Sequence, residues 1–143
     1  MGEKKRAQES EVGDELGPWE YEVTKEMVRR MTEVLEEPDM WYQEGSPFGG
    51  PIAPATISAD DYIRVLETRF VHSGAVHTKA EHEFINPVRP GKRYTVRGKV
   101  ADRYQKKGRD CVIIESVTTD EDGVDIVRSR NILLLSMKAR TER

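Results

Sequence analysis

The sequence predicts an α+β domain, with helices lying on one face of an antiparallel sheet. Three observations carry this. Apolar residues recur at helical spacing in two segments ahead of Phe70. From Val76 onward, apolar and polar residues alternate instead, which is the period of a half-buried strand. Pro90-Gly91, Lys107-Gly108 and Asp122-Gly123 punctuate those strands with turn signals, and strands joined by short turns run antiparallel.

Taken in order, the first 17 residues are charged and poor in hydrophobics, so 1–17 are expected as a disordered tail. They contain no apolar stretch resembling a secretory signal, and Glu3 with Arg6 does not fit a myristoylation pattern. The domain is expected to span 18–137, with 138–143 as a charged end. Trp19 to Val23 alternates and reads as a strand. Thr24 follows as an N-cap, and Met27, Val28, Met31, Val34 and Leu35 mark an amphipathic helix that stops before Pro38. Beyond a long irregular stretch, Ala59, Tyr62, Ile63, Leu66 and Phe70 share one helical face. This predicts a long helix from Pro54 or Thr56 to Arg69. Strands then follow at Val76–Ile85, from Tyr94 toward Tyr104, around Cys111–Thr119, and from Val124 to about Met137. The apolar helix face is the natural cover for the sheet.

Composition narrows the function. The chain has 143 residues, one domain by length and enough for a core without staples. A net charge of −3, with both signs interspersed, speaks against nucleic acid and against a membrane surface. The apolar run beginning at Asn131 is far too short to span a bilayer. One cysteine excludes a disulfide framework and a cysteine-rich zinc site, and Cys111 reads as an inert buried thiol. His72, His77 and His82 lack the pairing of metal ligands; His82, in phase with Ala80 and Phe84, reads as a hydrogen-bonded core histidine. No metal or cofactor motif is present, so a cofactor-free chemistry in the cytoplasm is expected. Arg89, Lys92 and Arg93 cluster after a Pro-rich turn, either as a solvated turn or as partners for phosphate.

The stretch Glu37–Ile57 is the candidate site. It is rich in proline, which fixes φ, and in glycine, which permits positive φ, so it is not one regular element. Trp41, Tyr42, Phe48 and Ile52 offer apolar area to bury, which argues against disorder. It is either a packed connector or a ligand-binding loop.

Two runs in this sequence resemble the MaoC-like hydratase/dehydratase family. Phe48-Gly-Gly-Pro-Ile-Ala-Pro54 is similar to the FGG run that opens that family's central helix, and Phe84-Ile-Asn-Pro-Val-Arg-Pro-Gly91 to its turn into the third strand. The resemblance covers about residues 18–137 and implies a hot-dog fold: five antiparallel strands wrapped around a long central helix. It also implies hydration of trans-2-enoyl-CoA, or dehydration of 3-hydroxyacyl thioesters borne on CoA or acyl carrier protein. Such chemistry needs an acid/base pair and donors for the enolate oxygen. Active members carry D-x-N-P-x-H. Here Glu37 stands at the Asp position and Tyr42 at the His position, and Pro54-Ala55 replaces His-Gly. Trp41, Phe48, Gly49, Gly50, Ala53 and Ala55 match substrate-binding positions, with the Ala55 N–H as a carbonyl donor. This pattern resembles the family's non-catalytic halves, which pair with a catalytic chain. Two alternatives stand beside it: a self-sufficient homodimer using Glu37 and Tyr42, and a hot-dog thioesterase using Asp60, Asp61 or Glu67 on the helix. In each case a homodimer or heterodimer is expected, because a lone hot-dog leaves a sheet edge open.

Overall fold

The computed structural model describes residues 3–135. Short strand β1 (Lys5–Arg6) leads to strand β2 (Glu15–Val23) and helix α1 (Lys25–Val34). A long irregular segment follows, then helix α2 (Asp61–Leu66), short strand β3 (Phe70–Val71), and strands β4 (Val76–Phe84), β5 (Lys92–Lys106), β6 (Arg109–Asp120) and β7 (Asp125–Leu134). The main sheet has the order β2-β5-β6-β7-β4 and every pairing is antiparallel. Strands β2 and β4 are its edges. This is the α+β hot-dog arrangement expected from the sequence, and among the described residues no helix is long and apolar enough to cross a membrane.

The core lies between α2 and the inner face of the sheet. Tyr62, Val65 and Leu66 pack against Leu16, Val96, Val100, Val112, Ile114 and Leu133. Two glycines let the helix approach so closely. A Cβ on Gly98 would stand 2.7 Å from the Glu115 carbonyl and 3.3 Å from Val65 Cγ1, and one on Gly17 would stand 2.7 Å from Val65 Cγ2. Val65 is therefore a knob seated over two missing side chains.

Three expectations need correction. The stretch before Gly17 is not a free tail in residues 3–17: β1 pairs in parallel with β3, and Ala7 is 0% exposed within the main core. Gly13 N–H donates to the Val100 carbonyl (2.8 Å), and Arg103 donates to the Gln8 carbonyl (3.0 Å) and to the Ser10 carbonyl. Backbone bonds, bonds from the distant Arg103 and the burial of Ala7, Ser10 and Leu16 anchor it, features that composition does not report. Second, the helix expected from residue 54 or 56 to Arg69 is in two pieces, a 3₁₀ turn at Ala55–Ser58 and α2. Ser58 donates to the Ala55 carbonyl (2.9 Å) and Thr68 to the Val65 carbonyl (2.6 Å), local bonds that compete with a continuing helix. Third, β4 does not alternate strictly. A bulge between His77 and Lys79 moves His77 onto the face shared by Ala80 and His82. The expected strand end at Met137 and the charged end 138–143 lie outside the described residues.

Helix α1 matches its expected limits. The Thr24 hydroxyl accepts from the Met27 N–H (3.1 Å) as the N-cap. Glu36, at φ 53°, closes the other end, with Glu37 N–H reaching the Thr32 carbonyl (2.9 Å) and Glu36 N–H the Glu33 carbonyl (3.1 Å). This is a Schellman stop built on a glutamate instead of glycine. Its apolar stripe is less buried than expected: Val28 is covered, whereas Val34 is 83% and Leu35 54% exposed.

Candidate functional site

The loop Glu37–Ile57 is ordered by its own hydrogen bonds. Asp39 accepts from the Trp41 N–H (2.9 Å) and starts a 3₁₀ turn at Met40–Tyr42. The Ile52 N–H donates back to the Trp41 carbonyl (2.9 Å). Between them, Ser46 donates to the Gly50 carbonyl (2.6 Å) while its hydroxyl accepts from the Phe48 N–H (3.1 Å). This tight reversal requires positive φ at Gly49 (82°) and Gly50 (107°). Trp41 and Phe48 meet edge to face at 6.1 Å and both remain exposed.

Two anchors hold the loop to the sheet. The Ala53 N–H donates to the Val88 carbonyl (2.7 Å), and Ala53 is buried with Val23, Val28, Val88, Tyr94 and Ile126. Arg89 donates to the Gly49 carbonyl (2.9 Å) and to that of Phe48. The Tyr94 hydroxyl in turn accepts from the Arg89 N–H (2.7 Å) and donates to its carbonyl (3.1 Å). Sequence reasoning grouped Arg89 with Lys92 and Arg93, either as a solvated turn or as partners for phosphate. All three have partners within the chain: Lys92 reaches Asp122 at 2.9 Å and Arg93 reaches Glu22 at 3.9 Å. Arg89 serves the Gly-Gly turn instead, a role with no local signal because the residues lie 40 apart in sequence.

Glu37 and Tyr42 fall in one neighbourhood. Glu37 is exposed, and its carboxylate makes no hydrogen bond among the described residues. Tyr42 is half-buried against the Ala53 cluster. Burial pushes its phenol pKa up, and the negative charges of Glu37 and Asp39 push it further. The group therefore holds its proton at neutral pH and can donate, but not abstract, a proton. Ala55 is exposed at the start of the 3₁₀ turn, where its N–H has no acceptor within the turn.

The helix carboxylates are placed differently from one another. Asp60 is exposed. Asp61 is buried against the sheet, where it accepts from the Thr118 hydroxyl (2.7 Å) and the Tyr21 hydroxyl (3.0 Å). Loss of water raises its pKa to about 6, and Asp60 adds to this, although the two hydroxyl donors oppose it. Tyr21 is raised in turn by burial and by Asp61. Glu67 binds His72 at 3.0 Å.

The inner sheet face carries a polar strip that no motif singled out. His82 Nδ1 lies 2.7 Å from the Ser129 hydroxyl, so this histidine has the polar partner expected of it. His77 Nε2 lies 2.9 Å from Asn131 Oδ1, and its ring packs on Tyr62 at 4.7 Å. Among the described residues, no cluster of His, Cys, Asp or Glu has the makings of a metal site.

Comparison with known proteins places this geometry. Residues 10–129 match the family described as FAS1-like, dehydratase domain region. No curated protein matches the chain in sequence. The fold is similar to that of a MaoC-like dehydratase from Rhodospirillum rubrum, with TM-score 0.76 and 22% identity over 92% of this chain and 97% of that one. It is also similar to the R-hydratase PhaJ1 from Pseudomonas aeruginosa, with TM-score 0.78 and 16% identity over 94% of this chain and 88% of that one. A third likeness is to the HadBC (3R-hydroxyacyl-ACP dehydratase) complex from Mycobacterium tuberculosis, with TM-score 0.73, 20% identity, and coverage of 86% and 96%.

Proposed function

Because the chain belongs to the FAS1-like dehydratase family, we propose that it is a subunit of an (R)-specific enoyl-CoA hydratase or 3-hydroxyacyl thioester dehydratase. In this reading it binds the acyl chain and a partner chain supplies the Asp/His pair. The observation that carries this is the state of Glu37 and Tyr42. Dehydration takes a proton from the α-carbon and delivers one to the departing β-hydroxyl. Tyr42 keeps its proton, and the Glu37 carboxylate is exposed with no hydrogen bond among the described residues to position it, so neither is held as a base. What remains suits binding: the Trp41–Phe48 pair for apolar contact, and the Tyr42 hydroxyl and Ala55 N–H as donors toward a thioester carbonyl.

A partner chain is supported by surface that the chain leaves uncovered. Val34, Leu35, Met40, Trp41 and Phe48 are exposed apolar residues on α1 and the loop. Edge strand β4 also offers unpaired backbone groups. The HadBC structure is a complex of this fold. A homodimer with Glu37 and Tyr42 as its own acid/base pair is the second reading, favoured by the closeness that lets Glu37 raise the Tyr42 pKa. Thioester hydrolysis by a helix carboxylate has less support, since Asp61 is turned to the sheet and Glu67 is bonded to His72.

The test is turnover by the purified chain alone, read as loss of enoyl absorbance with short and medium trans-2-enoyl-CoA. Binding without turnover is expected, with turnover appearing when a catalytic chain is added. Turnover by the lone chain that disappears in Glu37→Gln would overturn the half-enzyme reading and make Glu37 catalytic.

A further inference from the structure

Helix α2 sits off-centre on its sheet. It packs mainly on β2, β5 and β6. The inner face of β4 is left open: Ala80 and Phe84 are exposed and His82 is half-buried. This open face is not apolar. Along β7, Ser129 and Asn131 both point inward, two residues and about 7 Å apart. Ser129 is opposite His82 on β4, and Asn131 is opposite Ala80.

Asn131 is 0% exposed, and one end of its amide is satisfied by His77 at 2.9 Å. Its Nδ2 is buried with no hydrogen-bond partner. A buried amide donor without an acceptor is costly, and native structures keep few of them without a reason. Turning the amide round does not remove the problem; it moves the orphan to the carbonyl oxygen. A hydroxyl group satisfies the amide in either orientation, because it both donates and accepts. The approach is across Ala80. That cross-strand neighbour is exposed and has a one-carbon side chain, so on that side the amide has the least side-chain cover.

The strip is continuous with the loop. Phe84 pairs with Val127, next to Ile126, which is buried with Ala53 and Val88. Asn131 lies four residues further along β7, about 13 Å at the rise of a strand. A medium-length acyl chain whose thioester lies at the loop would bring its far end to Asn131.

We propose that Asn131, reached across Ala80, is a specificity site for a hydroxyl group carried on the acyl chain well beyond the reacting carbons, so that the ligand is a hydroxylated acyl thioester and not a plain alkyl one. This rests on the acyl-binding reading above. Ser129 and His82, already bonded to each other, line the path to it.

Titration calorimetry with trans-2-decenoyl-CoA and its ω-hydroxy counterpart tests the assignment. The wild-type chain should bind the ω-hydroxy ester about tenfold more tightly, the effect of satisfying one buried amide. Asn131→Leu, of similar volume, should abolish this preference and bind the plain ester at least as well. Ala80→Leu makes the same test from an exposed edge position, where folding is not at stake; it should also remove the preference by filling the approach. Equal binding of both esters by the wild type, or a preference that survives both variants, overturns the assignment while leaving acyl binding intact. If neither ester binds, the acyl-binding reading fails and this inference with it.

Discussion

Asp61 makes the fold's stability depend on pH, in a direction opposite to that of a salt-bridged carboxylate. Its carboxyl is buried, and its pKa is raised from the ordinary 3.8 to about 6, chiefly by loss of water. A raised folded-state pKa means that the folded protein prefers the protonated acid. The stabilisation is complete below the unfolded value near 3.8 and is lost as pH rises through about 6. The full loss is about 3 kcal/mol, of which about 1.4 kcal/mol falls between pH 5 and pH 8. Asp61→Asn removes the titration. The Asn Oδ1 can still accept from Thr118 and Tyr21, but its NH₂ group must then be buried, at a cost of about 1–3 kcal/mol that does not change with pH. The assay is urea unfolding of both proteins at several pH values from 5 to 8, followed by circular dichroism. Wild-type stability should fall relative to Asp61→Asn by about 1.4 kcal/mol across that range. Taking the difference between the two curves cancels every other titrating group. Parallel curves would refute the reasoning, because they would mean that Asp61 titrates alike in folded and unfolded chains.

Two further outcomes follow from packing and anchoring. Gly98→Ala places a Cβ 2.7 Å from the Glu115 carbonyl and 3.3 Å from Val65, so overpacking should cost about 1–3 kcal/mol in chemical denaturation. Arg89→Ala releases the Phe48 and Gly49 carbonyls from the sheet. Limited proteolysis should then cut first between Ser46 and Gly50, and acyl-CoA affinity should drop with little change in melting temperature; an unaltered cleavage pattern would show that the Ser46 turn holds the loop unaided.

Local chemistry was readable from the residues themselves. Thr24 caps α1, the helix ends before Pro38, and Gly91, Gly108 and Gly123 occupy turns at positive φ. The alternation of Tyr94, Val96 and Val100 placed them correctly on the buried face of β5. Each of these depends on residues a few positions apart, where backbone preference and period are written directly into the chain. The irregular loop was legible for the same reason, since proline and glycine forbid a regular element there. Glu37 and Tyr42 became candidates by aligning with a known motif from which both depart, and the burial and charge around Tyr42 were visible only in the fold.

Other features arise from contacts between residues far apart in sequence, and no local pattern records them. The bulge at Thr78 shifts His77 by one face, and β-pairing with β7 sets that shift, not the alternation of β4 itself. In the sequence Asp61 stood only as a carboxylate on the helix, a thioesterase candidate beside Asp60 and Glu67. It is buried because Tyr21 and Thr118, 40 and 57 residues away, meet it under the helix. The charged first residues gain order through a two-residue pairing and bonds to Arg103, 93 and 95 residues away. In the same way, the orphaned amide of Asn131 exists only because the sheet brings it to His77, whose ring packs on Tyr62, and beside an alanine on an uncovered edge. Sequence periodicity sets which elements form and which way most side chains face. Register and packing set which of those side chains are deprived of water and which are left without a partner, and that is where the chemistry of this fold resides.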